Sequence, residues 1–186
     1  MRKKLYLIRH GETVFNLEDR KQGQCDSPLT KKGINQMMVD RKWFIDNNIV
    51  FDHVYCSTLP RAIKCTELIT DHPFEIDDRI KERSFGKDEG MKQNGKHSDD
   101  VYPGDVGGES NIQLKNRVIP VYKEIMNKDD HQCVMIMSHG GICWQLSEAY
   151  KEYGDIDPLP RSVSNGAIYI YEYENEIFYL KKIIEN

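Results

Sequence analysis

Leu5-Tyr6-Leu7-Ile8-Arg9-His10-Gly11-Glu12-Thr13 is the stretch whose reading decides the fold. Four apolar, β-favouring residues in a row describe a strand buried on both faces, as in a parallel sheet with helices on either side. The run stops at Arg-His-Gly, so those residues stand at the strand's C-terminal edge, where open α/β sheets bind ligands. The arginine suits an anion, the histidine a nucleophile or proton carrier, and the glycine lets backbone come close. Taken alone, the pattern is equally consistent with an ordinary polar strand end.

A second stretch of the same kind, Cys133-Val134-Met135-Ile136-Met137, ends in Ser138-His139-Gly140. A helix is expected to leave it at about 141–150, with its N-terminal amides directed at whatever sits there. Residues 51–56 form a further short strand and lead into Ser57-Thr58-Leu59-Pro60-Arg61, where Pro60 fits a first helical turn and the helix runs to about 70, burying Ile63, Leu68 and Ile69. Between the first two strands, 12–27 reads as a site-lining loop. Thr30 caps a helix carrying Ile34, Met37, Met38, Trp43, Phe44 and Ile45 on a helical period. Residues 74–77 are either a small edge strand or extended chain. From 78 to 108 the glycines and charges predict a loop-rich excursion. A helix follows on Leu114, Val118, Tyr122 and Ile125, with a kink or break expected near Arg117 because Pro120 lies inside it. Residues 167–173 and 177–184 read as a terminal hairpin.

This order predicts an α/β fold: a three-layer α/β/α sandwich with a mostly parallel central sheet and antiparallel C-terminal hairpin strands. Right-handed crossovers would bring Arg9-His10, Ser57 with Arg61, and His139 to one edge. The 186 residues fit a single domain, 1–186, with a substrate-specificity insertion at about 78–108.

Composition narrows the function. With 39% apolar and 30% charged residues and a net charge of −4, there is no global basic field for nucleic acid, so an anion site must be built locally, for a small ligand. No apolar run spans a bilayer, and none behind the basic start is long enough for a signal peptide. The five cysteines lack metal-ligand spacing and are expected as reduced thiols in a cytoplasmic protein. His53, His72, His97 and His131 have no partners at a recognisable spacing, which favours surface or core packing over ligation. Zinc on His10 and His139 would place Arg9 and Arg61 beside a dication, so neither metal nor other cofactor is expected.

The ordered blocks Leu7-Ile8-Arg9-His10-Gly11-Glu12-Thr13 with Asn16, Gln22-Gly23, Asp26-Ser27-Pro28-Leu29-Thr30 with Gly33, Ser57-x-x-x-Arg61-Ala62, Glu82 before Phe85-Gly86, Gly108-Glu109-Ser110 and Ser138-His139-Gly140-Gly141 resemble the histidine phosphatase superfamily. The branch is that of cofactor-dependent phosphoglycerate mutases and broad-specificity phosphatases, with Asn165-Gly166 a last element. The resemblance implies that His10 attacks phosphorus and becomes phosphohistidine. It makes Arg9, Asn16, Arg61, His139 and Gly140 the phosphate cradle, and Gln22, Gly23 and Ser57 part of the substrate pocket. Glu82 becomes general acid and then base, so Lys81 and Arg83 are expected to point away from it. His10, Glu82, His139, Arg9 and Arg61 form the catalytic set. The expected partner is a small phosphorylated metabolite, with no nucleic acid or membrane.

The mutases carry paired arginines after the catalytic glutamate, whereas residues 89–108 contain none; their cations are Lys92 and Lys96, set against Asp99, Asp100 and Asp105. That favours a phosphomonoester hydrolase over a mutase. A catalytically silent phospho-ligand-binding or protein-interaction domain is the other alternative, opposed by the intact catalytic set. Asp19 departs from the glycine common in relatives. The alternating Phe178, Leu180 and Ile184 could cover the sheet or pair with another chain, leaving monomer or homodimer open.

Overall fold

The computed structural model describes residues 2–93, 107–160 and 163–185. Six strands form one sheet: β1 (Lys3–Arg9), β2 (His53–Ser57), β3 (Glu75–Asp77), β4 (Cys133–Ser138), β5 (Ile168–Glu174) and β6 (Ile177–Ile184), in the order β3-β2-β4-β1-β5-β6. The first four run parallel; β5 is antiparallel to β1 and β6 to β5. Of residues 74–77, Glu75–Asp77 thus resolve as an edge strand. The hairpin turns at Asn175 and Glu176, both in the left-handed region, as a tight two-residue turn requires.

Alternation along β1 sorts the core into two layers. Leu5 and Leu7 pack with Leu114, Val118, Tyr122 and Ile125 of α4 (Asn111–Asn127) and with Ile142 and Leu146 of α5 (Gly140–Ala149). Tyr6 and Ile8 face the other way, onto Met37 and Phe44 of α2 (Lys31–Asp46) and Ala62, Cys65 and Ile69 of α3 (Pro60–Ile69). Phe178 and Leu180 are buried within the chain, so the hairpin covers the first layer.

Three expectations change. α4 is continuous through Pro120, because that residue and Asn116, whose carbonyl loses its donor, both lie at the surface, where water substitutes. α2 buries Gly33, Gln36, Met37, Asp40 and Phe44 and exposes Ile34, Met38 and Ile45, so its inner face is partly polar. α3 buries Arg61, Ala62, Cys65, Thr66 and Ile69, while Ile63 and Leu68 are only partly covered. The 12–27 loop also contains one helical turn, α1 (Val14–Leu17), capped reciprocally by Thr13 and Asn16. Asp19 has φ +53, the region where glycine sits without strain. Of the 78–108 excursion, 3₁₀ turns at Asp78–Ile80 and Gly86–Asp88 are described. Residues 94–106, with Lys96, His97, Asp99, Asp100 and Asp105, lie outside the described residues.

Candidate active site

Register brings the strand ends together. Arg9 of β1 stands opposite Ser138 of β4, and Cys56 of β2 opposite Met137, so His10, Ser57 and His139 leave three adjacent parallel strands at one level. A cavity of about 290 Å³ opens there, with Arg9, His10, Asn16, Arg61, Glu82 and Gly140 in its wall. Gln22 and Gly23 also line it, joined by Arg20, Lys21, Phe85, Gln93, Trp144 and Tyr169.

His10 is 3% exposed and its Nδ1 lies 2.8 Å from the Gly11 carbonyl. A carbonyl only accepts, so Nδ1 carries the proton and Nε2 keeps its lone pair. Arg61 donates its Nε hydrogen to that Nε2 at 3.2 Å, and its other nitrogens to the carbonyls of Cys25 (2.9 Å) and Gly23 (2.6 Å). Burial, then the charges of Arg61 and Arg9, hold His10 well below the usual imidazole range, so the ring is neutral. Burial also lowers Arg61, but a guanidinium remains protonated. Arg9 donates to the Val163 carbonyl, and its buried Nε has no hydrogen-bond partner among the described residues.

Around this centre, polar groups are held with capacity to spare. The Asn16 side-chain oxygen accepts from Thr13 N (3.1 Å) and from Asn165 Nδ2 (3.1 Å). Its amide N–H groups are therefore the end left for the cavity. Asn165 also donates to the His10 carbonyl, and Gly166 N to the carbonyls of Arg9 and His10, which ties this last motif to the end of β1. Gln22 contacts Thr13 Oγ1 at 2.9 Å, and its buried Nε2 has no partner among the described residues.

Glu82 is 9% exposed; its two oxygens accept from Arg83 N (2.8 Å) and Gly141 N (3.0 Å). A Cβ on Gly141 would sit 2.5 Å from Glu82 Oε1, so glycine at the second position of α5 leaves room for the carboxylate. Lys81 turns its ammonium to Asp78, at 2.8 Å, as anticipated for a neighbour of Glu82. A clamp that sequence reading missed holds this segment. Arg117 of α4 donates to the carbonyls of Arg79, Lys81 and Glu82 and pairs through Nε and Nη2 with the two Glu109 oxygens, both at 2.7 Å. Glu109 N in turn bonds the Ser84 carbonyl. The Glu109-Ser110 block was the available signal, since Ser110 caps α4 and sets Arg117 two turns on.

Two placements differ from the sequence reading. Ser57 is fully buried and outside the cavity wall; its hydroxyl accepts from Leu59 N and meets His139 Nε2 at 2.7 Å. It orients a histidine instead of facing substrate. His139 is itself fully buried behind the wall, its ring 5.3 Å from that of His10. Nδ1 of His139 has no hydrogen-bond partner among the described residues. Burial first, then Arg61, His10, Arg117 and Arg9, hold His139 well below the usual range. Of the other histidines, His53 and His131 do find each other, their rings stacked at 3.7 Å across β2 and β4, an adjacency that linear spacing could not reveal.

Residues 5–186 match the family described as histidine phosphatase superfamily (branch 1). The chain belongs to that superfamily. Among its histidine phosphatase relatives, PhoE of Bacillus subtilis, named an uncharacterized phosphatase, is 30% identical over 72% of this chain and 70% of its own length. A phosphoglycerate mutase of Blochmanniella pennsylvanica, dependent on 2,3-bisphosphoglycerate, is 27% identical over 96% of this chain and 98% of its own. The superfamily fold is equally plain. YhfR of Bacillus stearothermophilus superposes with a TM-score of 0.82 at 27% identity, covering 95% of this chain and 94% of that one. A phosphoglycerate mutase from Bacillus anthracis gives 0.83 at 22%, covering 96% and 91%. Histidine phosphatase relatives thus carry both phosphatase and mutase names. No helix among the described residues is long and apolar enough to cross a membrane.

Proposed function

We propose that this protein is a metal-independent phosphomonoester hydrolase that works through a phosphohistidine at His10. The observation that carries the reading is the fixed tautomer of His10, with Nδ1–H on the Gly11 carbonyl and a neutral Nε2 beside two guanidinium groups. In the first step the Nε2 lone pair forms the N–P bond as the P–O bond to the alcohol breaks, and a protonated Glu82 gives its proton to the departing oxygen. Positive charge developing on the ring is met at Nδ1 by the Gly11 carbonyl. Arg61 turns its Nε hydrogen from His10 to the phosphoryl oxygens, and Arg9, Asn16 and the helix end at Gly140 share their charge. In the second step Glu82, now a carboxylate, takes a proton from water; the water oxygen bonds to phosphorus, the P–N bond breaks, and inorganic phosphate leaves. His10 returns neutral.

Hydrolysis is favoured over mutase chemistry by the cations of the pocket rim. A mutase needs a free cationic clamp for the carboxylate of its substrate, whereas Arg20 donates to Glu18 and the Gly90 carbonyl and Lys21 pairs with Asp88 at 2.6 Å. The test is turnover of p-nitrophenyl phosphate in chelator, followed by 3-phosphoglycerate with a trace of its bisphosphate. Phosphate release without metal, lost in His10→Ala, is the expected result. Equilibration with 2-phosphoglycerate faster than phosphate release would make the protein a mutase.

A further inference from the structure

At the opposite edge of the sheet, the strand beginnings carry a cluster that the reaction above does not use and that stands independently of it. His53 opens β2 and His131 precedes β4, and the Asp130 carboxylate bridges the edges of their stacked rings. One Asp130 oxygen is 3.0 Å from His53 Nε2 and the other 2.8 Å from His131 Nδ1, and the three ligand atoms all fall within 4.8 Å of one another. We propose that His53, Asp130 and His131 form a binding site for a late first-row divalent cation of the zinc class.

Two imidazole nitrogens and one carboxylate with no thiolate are the donor set such ions take, solvent completing the coordination. Ligand atoms around tetrahedral zinc stand about 3.3 Å apart, given bond lengths near 2.0–2.1 Å, so the cluster needs a modest contraction. The parts that must move are free to do so. Asp130 has a 71% exposed side chain and His53 a 28% exposed one, whereas His131 at 2% is fixed. A shared ion requires both lone pairs to converge, so the His53 ring tilts out of its 3.7 Å stack.

The buried histidine also has the outer support that metal-bound imidazoles use. Tyr55 Oη lies 2.8 Å from His131 Nε2 and accepts from Lys128 Nζ at 2.8 Å. When an ion takes Nδ1, the ring proton moves to Nε2 and is received by Tyr55 Oη, whose own hydrogen turns away from the ring. His53 likewise moves its proton from Nε2, where the Asp130 carboxylate now accepts it, to Nδ1. The carboxylate offsets half of the ion's charge, and the Lys128 ammonium is separated from His131 by the Tyr55 hydroxyl.

The test is equilibrium dialysis of the full chain against Zn²⁺ alone, with melting curves in parallel. Wild type and His10→Ala should each bind one zinc per chain at micromolar concentration and melt higher with it. Asp130→Ala, at an exposed position, and His53→Ala, at a half-buried one, both checked to melt as wild type does without metal, should weaken binding by at least about tenfold, the low end of what even outer-shell losses cost. Absence of zinc binding in wild type overturns the proposal. So does binding that persists undiminished in His53→Ala and Asp130→Ala, or that disappears in His10→Ala, because the ion would then sit on thiols or at the other histidine pair.

Discussion

Arg61 rests its Nε hydrogen on His10 Nε2, at 3.2 Å, so the guanidinium that would hold phosphate also keeps a proton off the attacking nitrogen. The two functions are separable. Replacing Arg61 by Gln removes the largest nearby charge that lowers His10 and should move the ring's titration, followed by NMR, toward the ordinary value of about 6.5. A titration unmoved by Arg61→Gln would leave burial and Arg9 as the causes.

Stability should share this pH dependence. His10 and His139 both titrate well below the ordinary range when folded, and at about 6.5 when unfolded. Above that pH both states are neutral and nothing is lost. As pH falls below about 6.5 the unfolded chain binds protons that the folded chain refuses, so unfolding becomes easier, by up to about 1.4 kcal/mol per pH unit for each ring. Urea unfolding at pH 7.5 and 5.5 measures this, and His10→Gln should reduce the difference.

Glu82→Gln tests the acid and base steps separately. Alkyl phosphates need protonation of the leaving oxygen and should lose about 10²–10⁴-fold in kcat/KM. p-Nitrophenolate leaves without help, so that ester should still phosphorylate the enzyme and then stall, giving a burst of one equivalent. Arg117→Ala frees the carbonyls of Arg79, Lys81 and Glu82 and should reproduce the alkyl ester defect in weaker form. Equal loss on both esters would mean that Arg117 acts on overall stability alone.

Gly141→Ala places a methyl 2.5 Å from Glu82 Oε1 and should displace the carboxylate, lowering alkyl phosphate turnover more than melting temperature. Ser57→Ala removes the hydroxyl that orients His139 and should lower kcat by about tenfold, as loss of one polar orienting contact of about 1.4 kcal/mol would. A Ser57→Thr variant, which keeps the hydroxyl, should recover part of it.

Much of this was legible in the chain because short apolar strands end abruptly in charged motifs, and register then brings Arg9, His10 and His139 together. The strands, the hairpin and the cavity residues Arg9, His10, Arg61 and Gly140 follow from that logic, whereas Asn16, Gln22, Gly23 and Glu82 stand out only through the resemblance to the histidine phosphatase superfamily. Hydrophobic periodicity misled where polar groups are buried with partners: Gln36 faces inward because it bonds Glu12 N and the Asn165 carbonyl, which no apolar pattern reports. Pro120 misled in the other direction, since its cost depends on exposure. The Arg117 clamp and the pairing of His53 with His131 join residues far apart in the chain, and linear spacing carries no trace of either.

The most direct measurement of the central claim is rapid quenching of wild type and Glu82→Gln with ³²P-labelled phosphomonoester, followed by peptide mapping. The account predicts an acid-labile, alkali-stable phosphate on His10, accumulating in Glu82→Gln and absent from His10→Ala. Turnover with no labelled protein in either enzyme, or label on His139 or a cysteine, would contradict it.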